Sequence, residues 1–179
     1  MCAMAREISA GGVVLREISG ASHVALIEPR KESSPAKARG KRLGKQKRAL
    51  LCLPKGLLDS GEKPQAAAIR EVLEETGIAA EAVTKLADIK YTYTRTWQGG
   101  ERVFKIVSFY LMRYVSGEID NLSPSMRIEV KRALWVPLAE AASQMAYSSE
   151  RSVLRQAQEY LETKAGLTDA PNTRGESGP

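Results

Sequence analysis

The chain has 179 residues, the length of one ordinary domain, with 43% hydrophobic residues and a net charge of +6. No run of about 18 apolar residues exists, and the first residues lack the charged-then-apolar order of a secretory signal, so we expect a cytoplasmic protein without membrane spans. Two widely separated cysteines and a single histidine favour neither a disulfide framework, nor a zinc site, nor a Ser/His or Cys/His catalytic pair.

The N-terminal part is predicted to form a β-hairpin, followed by a basic insertion. Apolar runs within 8–18 and 23–27 flank a turn signal at Ser19 and Gly20. Segment 30–48 then contains nine basic residues and one acidic residue. We interpret this basic loop first as a solvated insertion, and alternatively as a capture surface for an anionic substrate. Contact with RNA or DNA is less favoured, because the loop has no aromatic residue that could stack on bases.

The rest of the chain mixes strands and helices without regular alternation, which predicts either an α+β fold or an α/β sandwich with a mixed β-sheet. The predicted strands are 50–53, 83–96, 102–115 and 134–136, and the predicted helices are 63–76, 137–145 and 149–163. We expect residues 1–164 to form a single domain. The tail 165–179, with its Gly, Pro, Ser and Thr residues, is expected to be disordered.

Helix 63–76 carries the pattern that indicates chemistry. Its apolar side is predicted to consist of Ala68, Ile69, Val72, Leu73 and Thr76. Glu71, Glu74 and Glu75 stand at i, i+3 and i+4, so they share the other side and repel one another. Arg70 points about 100° away and is expected to offset only part of this repulsion. A bound divalent cation would relieve the remaining repulsion among the three carboxylates.

Magnesium takes oxygen ligands and is often held by a few carboxylates together with substrate phosphates, so the helix is typical of a pyrophosphate hydrolysis site. In the preceding loop, Gly56 permits a tight backbone path by which the carbonyl of Lys55 could reach the metal. Glu62 lies eight residues before Arg70 and is predicted to form a structural ion pair with it. The competing interpretation is a solvated, Glu-rich helix face.

The whole stretch fits the pattern G-x5-E-x7-R-E-U-x-E-E-x-G-U, in which U is aliphatic. The fixed positions are Gly56, Glu62, Arg70, Glu71, Val72, Glu74, Glu75, Gly77 and Ile78. This pattern resembles the complete Nudix box, and the order of predicted elements over residues 7–161 also resembles the Nudix fold. Chance occurrence of all these positions is rare enough to outweigh the solvated-face interpretation.

The resemblance implies a mixed β-sheet sandwiched between α-helices, and hydrolysis of a nucleoside diphosphate linked to another moiety with Mg²⁺ or Mn²⁺. Carried over position by position, it makes Glu71 and Glu75 the principal metal ligands, and Glu74 an accessory ligand or general base. The Lys55 carbonyl becomes a further ligand. Glu129, six residues before Trp135, resembles a late glutamate that some family members use as base or ligand.

Residues 51–62 resemble the LPKG-x4-GE variant found in hydrolases of diadenosine and diphosphoinositol polyphosphates, apart from Leu51 and Leu57, where an aromatic residue and a histidine are common. Lys55 and Lys105 are candidates to contact a polyphosphate as point charges. Tyr91, Tyr93 and Trp97 could stack on a base, although simple packing explains the two tyrosines equally well.

The favoured substrate is therefore a dinucleoside polyphosphate. An oxidised nucleoside triphosphate is the second candidate and an inositol pyrophosphate the third. The hypothesis from another class is a non-catalytic module that binds a nucleotide or RNA through the basic loop. The complete set of box carboxylates argues against that hypothesis.

Overall fold

The computed structural model describes residues 5–30, 50–95 and 100–168, with side chains up to residue 164. In chain order the elements are β1 (Ala5–Ile18), β2 (Ala21–Pro29), β3 (Lys55–Leu57), α1 (Pro64–Thr76), β4 (Ile78–Arg95), β5 (Glu101–Gly117), a 3₁₀ turn (Met126–Ile128), β6 (Val130–Pro137), α2 (Leu138–Gln144) and α3 (Ser148–Thr168). The basic loop beyond Arg30, Trp97 and the tail after Thr168 lie outside the described residues.

The sheet is mixed, as the sequence predicts. Its strands run in the order β4-β5-β1-β2-β6, and β3 pairs with β1 beside this path. The long central pair β1 and β5 is parallel, whereas the other described pairs are antiparallel. Side chains on a strand alternate between the two faces, so β1 supplies apolar residues to both layers of the fold.

Helices cover both faces of the sheet. On one face, Val72 of α1 packs with Ala10 and Val14 of β1 and with Met112 of β5. On the other face, Val13, Phe109 and Leu111 pack against Val153, Leu154 and Ala157 of α3, with Ala141 of α2. The predicted α+β class, with a mixed sheet between helices, is thereby confirmed.

Two local expectations were wrong. The predicted strand 50–53 is absent as a ladder, and Leu51 and Cys52 make only isolated bridges to Met145 and Ile27. The strand of this region is β3, which begins only after Pro54, because proline has no N–H to donate to a ladder. The last helix continues to Thr168 and so includes the first residues of the tail that was expected to be disordered.

Helix α1 has the predicted bounds within one residue. Pro64 occupies its first turn, where a missing N–H costs nothing, and Gly77 ends it with φ 79° while its N–H bonds to the Leu73 carbonyl at 2.9 Å. Leu73 was placed wrongly on the packed side, since half of its surface is exposed, and Ala67 is buried there instead. No helix in the described ranges is long and apolar enough to cross a membrane.

Candidate active site

The carboxylate of Glu71 lies directly against the backbone of β3. A Cβ added to Gly56 would fall well inside 3.0 Å of the Glu71 carboxylate, closer than real Cβ atoms come to their neighbours. Any larger residue at this position would force the Glu71 carboxylate to move. The absence of a side chain at Gly56 leaves room for Glu71, a residue that is only 8% exposed.

Glu75 is held by the same strand. The Lys55 amide donates a hydrogen bond of 2.7 Å to Oε2 of Glu75, whose side chain is nearly covered. Burial raises the pKa of Glu75 to about 8, against the opposing effect of the Lys55 charge and amide. Burial also raises the pKa of Glu71, and Arg70 offsets part of that rise.

Arg70 makes more hydrogen bonds to the neighbouring glutamates than the sequence predicted. Its guanidinium donates to Glu62 through two nitrogens, at 3.0 and 2.9 Å, to Glu71 at 2.8 Å and to Glu74 at 3.1 Å. A further bond of 2.9 Å reaches the Leu57 carbonyl. The expectation that Arg70 points away was therefore wrong, because its long side chain curves back over the helix to Glu71 and Glu74. Its offset is still partial, since the pKa of Glu71 remains raised. The predicted Glu62–Arg70 pair is present.

The three box carboxylates do not converge on one point. Glu74 faces Arg70 and is 40% exposed, while Glu71 and Glu75 form the buried pair. Among the described residues, no three acidic, histidine or cysteine side chains are arranged to hold a metal ion. Glu129, which is exposed after the 3₁₀ turn, lies near enough for its charge to contribute to the raised pKa of Glu75.

The predicted substrate contacts lie on the opposite face of the sheet. Lys105 pairs in register with Tyr91 across β4 and β5, and the Tyr91 and Tyr93 rings are 6.3 Å apart. The Lys105 ammonium is 3.4 Å from Glu7 and the Lys55 ammonium is 3.3 Å from Glu150. We call the surface formed by Lys55, Lys105, Tyr91 and Tyr93 the tyrosine face.

Two acidic residues that the sequence did not single out organise this face. Glu7 accepts a 2.8 Å hydrogen bond from the Tyr93 hydroxyl and also pairs with Arg95. Glu150 is 3% exposed and accepts a 2.8 Å bond from the Leu53 amide. Alternation along β1 could have placed Glu7 on this face, but no local pattern distinguishes Glu150 from an ordinary acidic residue in a first helical turn.

A family model described as NUDIX domain matches residues 11–157, which is most of the chain. The chain belongs to the Nudix family. Its sequence relatives include a candidate mutator protein, MutT4 of Mycobacterium tuberculosis, which is 37% identical over 159 residues, 87% of this chain and 56% of the relative. They also include an 8-oxo-(d)GTP phosphatase of Mycolicibacterium smegmatis, 33% identical over 69% of this chain and 35% of the relative.

This Nudix chain therefore spans about half the length of the first relative and about a third of the second. Among solved structures, a C. elegans Ap4A hydrolase in a binary complex matches with a TM-score of 0.61 at 24% identity, covering 88% of this chain and 98% of that one. This likeness shows the fold. The family match shows that residues 11–157 form a Nudix domain.

Nudix hydrolases generally use divalent metal ions, and the buried pair of this chain fits such an ion. Glu71 and Glu75 are each 8% exposed, and buried carboxylates are costly to ionise without a nearby positive charge. Carboxylate oxygens are also the ligands that hard divalent cations prefer. The strand that carries Gly56 runs directly against this pair, since an added Cβ at Gly56 would meet the Glu71 carboxylate and the Lys55 amide binds Glu75. Glu74 would have to leave Arg70 to join this set.

Proposed function

We propose that this chain hydrolyses a phosphoanhydride of a nucleoside polyphosphate, with Mg²⁺ or Mn²⁺ held by Glu71, Glu75 and the Lys55 carbonyl. The observation that carries the proposal is the Glu75 carboxylate, which is buried, has a raised pKa and is fixed by the Lys55 amide at 2.7 Å. Perturbed carboxylates of this kind are typical of functional sites. Family membership supplies the reaction class.

The residues of the chain divide the work. Glu71 and Glu75 would bind the ion, and Arg70 would keep Glu71 oriented through its 2.8 Å hydrogen bond. When bound, a divalent cation neutralises phosphate charge and lowers the pKa of a water molecule. Hydrolysis forms a bond from water oxygen to phosphorus and breaks the bond from phosphorus to the bridging oxygen, and a carboxylate must accept the proton of the water.

Two carboxylates are candidates for this proton acceptor. Glu74 is engaged by Arg70, which occupies one of its oxygens at 3.1 Å. Glu129 is exposed, and its negative charge contributes to the raised pKa of Glu75. We propose Glu129 as the base and Glu74 as an accessory ligand. In this assignment Glu129→Gln lowers kcat and leaves Mn²⁺ affinity unchanged, whereas Glu74→Gln weakens Mn²⁺ binding.

For the substrate we propose an oxidised purine nucleoside triphosphate first. Support comes from the relative named as an 8-oxo-(d)GTP phosphatase and from the relative named as a candidate mutator protein, both more than 30% identical to this chain. This order reverses the one that the sequence motifs alone favoured. The dinucleoside polyphosphate is the second candidate, because the tyrosine face combines two lysines with two aromatic rings.

On either substrate we propose the same division of contacts on the tyrosine face. Tyr91 is 36% exposed and offers a ring on which a base can stack, while Tyr93 is tied by its hydroxyl to Glu7. Lys105 and Lys55 keep about a fifth of their side-chain surface exposed and carry charge that a polyphosphate chain can bind.

A product analysis separates the substrates. The purified chain and Mg²⁺ are incubated in ¹⁸O-labelled water with one compound per reaction, and the products are identified by mass. The compounds are 8-oxo-dGTP, dGTP, diadenosine tetraphosphate, an inositol pyrophosphate and capped RNA. We expect 8-oxo-dGTP to give the highest kcat/KM. A preference for diadenosine tetraphosphate, seen as AMP with ATP, would move the second candidate to first place. Binding of a nucleotide or RNA without turnover of any compound would favour the non-catalytic module.

The reaction class is tested by Glu75→Gln. This variant keeps the shape of the side chain and removes the charge of a metal ligand, so we expect kcat to fall by about 100-fold or more. The matched control is Glu81→Gln, which changes an exposed glutamate on β4. Undiminished turnover in Glu75→Gln would contradict the proposed function.

A further inference from the structure

Glu150 stands out among the acidic residues that the proposed reaction does not use. It lies in the first turn of α3 and is 3% exposed. Both of its oxygens are directed at segment 53–55, one accepting from the Leu53 amide at 2.8 Å and the other lying 3.3 Å from the Lys55 ammonium. One buried carboxylate thus fixes both ends of a three-residue segment.

Segment 53–55 continues from these contacts to the metal site. Its Pro54 carbonyl accepts from the Gly12 amide of β1 at 3.1 Å, and its Lys55 amide donates to Glu75 at 2.7 Å. Side chain and backbone of Lys55 therefore serve opposite faces of the sheet. A connected series of hydrogen bonds and one ion pair runs from α3, through the segment, to the carboxylate that we propose as a metal ligand.

Stability alone is a poor explanation for this arrangement. Removing a carboxylate from water is expensive, and replacing a buried ion pair with apolar residues is often neutral or stabilising. Val153 and Leu154, three and four residues further along α3, lie in the apolar core, so an apolar residue at position 150 would avoid that expense. An apolar residue could not make the two directional contacts, to the Leu53 amide and the Lys55 ammonium, that fix the position and orientation of segment 53–55.

We propose that Glu150 is a positioning residue of the metal site, which acts through segment 53–55 to hold the Lys55 backbone against Glu75. The inference rests on the proposed role of Glu75 as a metal ligand. Partners behind metal ligands typically contribute about 10-fold to 100-fold in metal affinity. Glu150→Ala removes both contacts with the segment, whereas Glu150→Gln keeps an acceptor for the Leu53 amide and loses the charge opposite Lys55.

The test is a calorimetric titration of the folded, metal-free protein with Mn²⁺ alone, well below the melting temperature. We expect the Kd to rise by about 10-fold or more in Glu150→Ala and by a smaller factor in Glu150→Gln. Glu159→Ala, on the exposed side of the same helix, should match the wild type. In turnover assays, added Mn²⁺ should restore most of the lost kcat in both Glu150 variants.

The outcomes are distinguishable. A lowered melting temperature with an unchanged Mn²⁺ Kd in Glu150→Gln or Glu150→Ala would give Glu150 a structural role and overturn the inference, while leaving the proposed function intact. If Glu150→Ala does not fold, the Glu150→Gln titration decides by itself. If Glu75→Gln binds Mn²⁺ with the same Kd as the wild type, the proposed metal site and this inference are both overturned.

Discussion

Gly56→Ala is expected to disable the site through one added methyl group. The new Cβ would overlap both oxygens of the Glu71 carboxylate, and ordinary van der Waals contact begins only at 3.4 Å. The carboxylate must therefore move by about 1 Å, away from the position in which it accepts a 2.8 Å hydrogen bond from Arg70. A displacement of about 1 Å at a reacting centre can cost about 100-fold in rate. We expect a fall in kcat of that size.

The assay is steady-state turnover at saturating Mg²⁺, together with urea denaturation. Overpacking of this kind typically lowers the free energy of unfolding by about 1 to 3 kcal/mol, so the variant should remain folded at 25 °C. Gly20→Ala is the control, because Gly20 has φ 77° and no atom within 4 Å of an added Cβ, so backbone strain arises without contact with the site. A folded Gly56→Ala with turnover like that of Gly20→Ala would refute the steric argument.

Three further predictions concern the charge network and the core. Arg70→Ala leaves three glutamates without their shared donor and should lower the free energy of unfolding by about 2 kcal/mol in urea denaturation; an unchanged midpoint would contradict this. Burial raises the pKa of Glu7, but hydrogen bonds from Tyr93 and Arg95 outweigh it and hold the pKa below 4.5. Glu7 therefore stabilises the fold above pH 4.5 and loses this effect as the pH falls through its lowered pKa, so the melting temperatures of wild type and Glu7→Gln should converge in acid. Phe109→Ala, at a fully buried position, should cost about 3 to 5 kcal/mol by urea denaturation.

The sequence was informative where spacing along one helix determines position. The bounds of α1 and the pairing of Glu62 with Arg70 could be predicted, because both depend on residues fewer than about 20 apart whose geometry a helix and its leading loop fix. The position of Gly56 in a tight loop was predicted, but not its contact with Glu71. The mixed sheet between helices followed from the order of the elements.

Other features depend on contacts that no local pattern encodes. The three-residue strand β3 exists because β1 offers it a partner, and such a short strand has too few residues to show an alternating pattern. A flexible arginine can bend back across its own helix, so the angular position of Arg70 did not predict its partners. Glu150 is 97 residues from the Leu53 amide that it binds.

Lys55 illustrates how the two faces of the sheet are coupled. Its amide faces the helix that carries Glu75, while its ammonium lies on the tyrosine face beside Glu150. Burial alone would lower the pKa of this lysine, but the charge of Glu150 and other neighbours raises it, so Lys55 stays charged at neutral pH. A polyphosphate that attracts the ammonium would pull on the same residue whose amide orients Glu75.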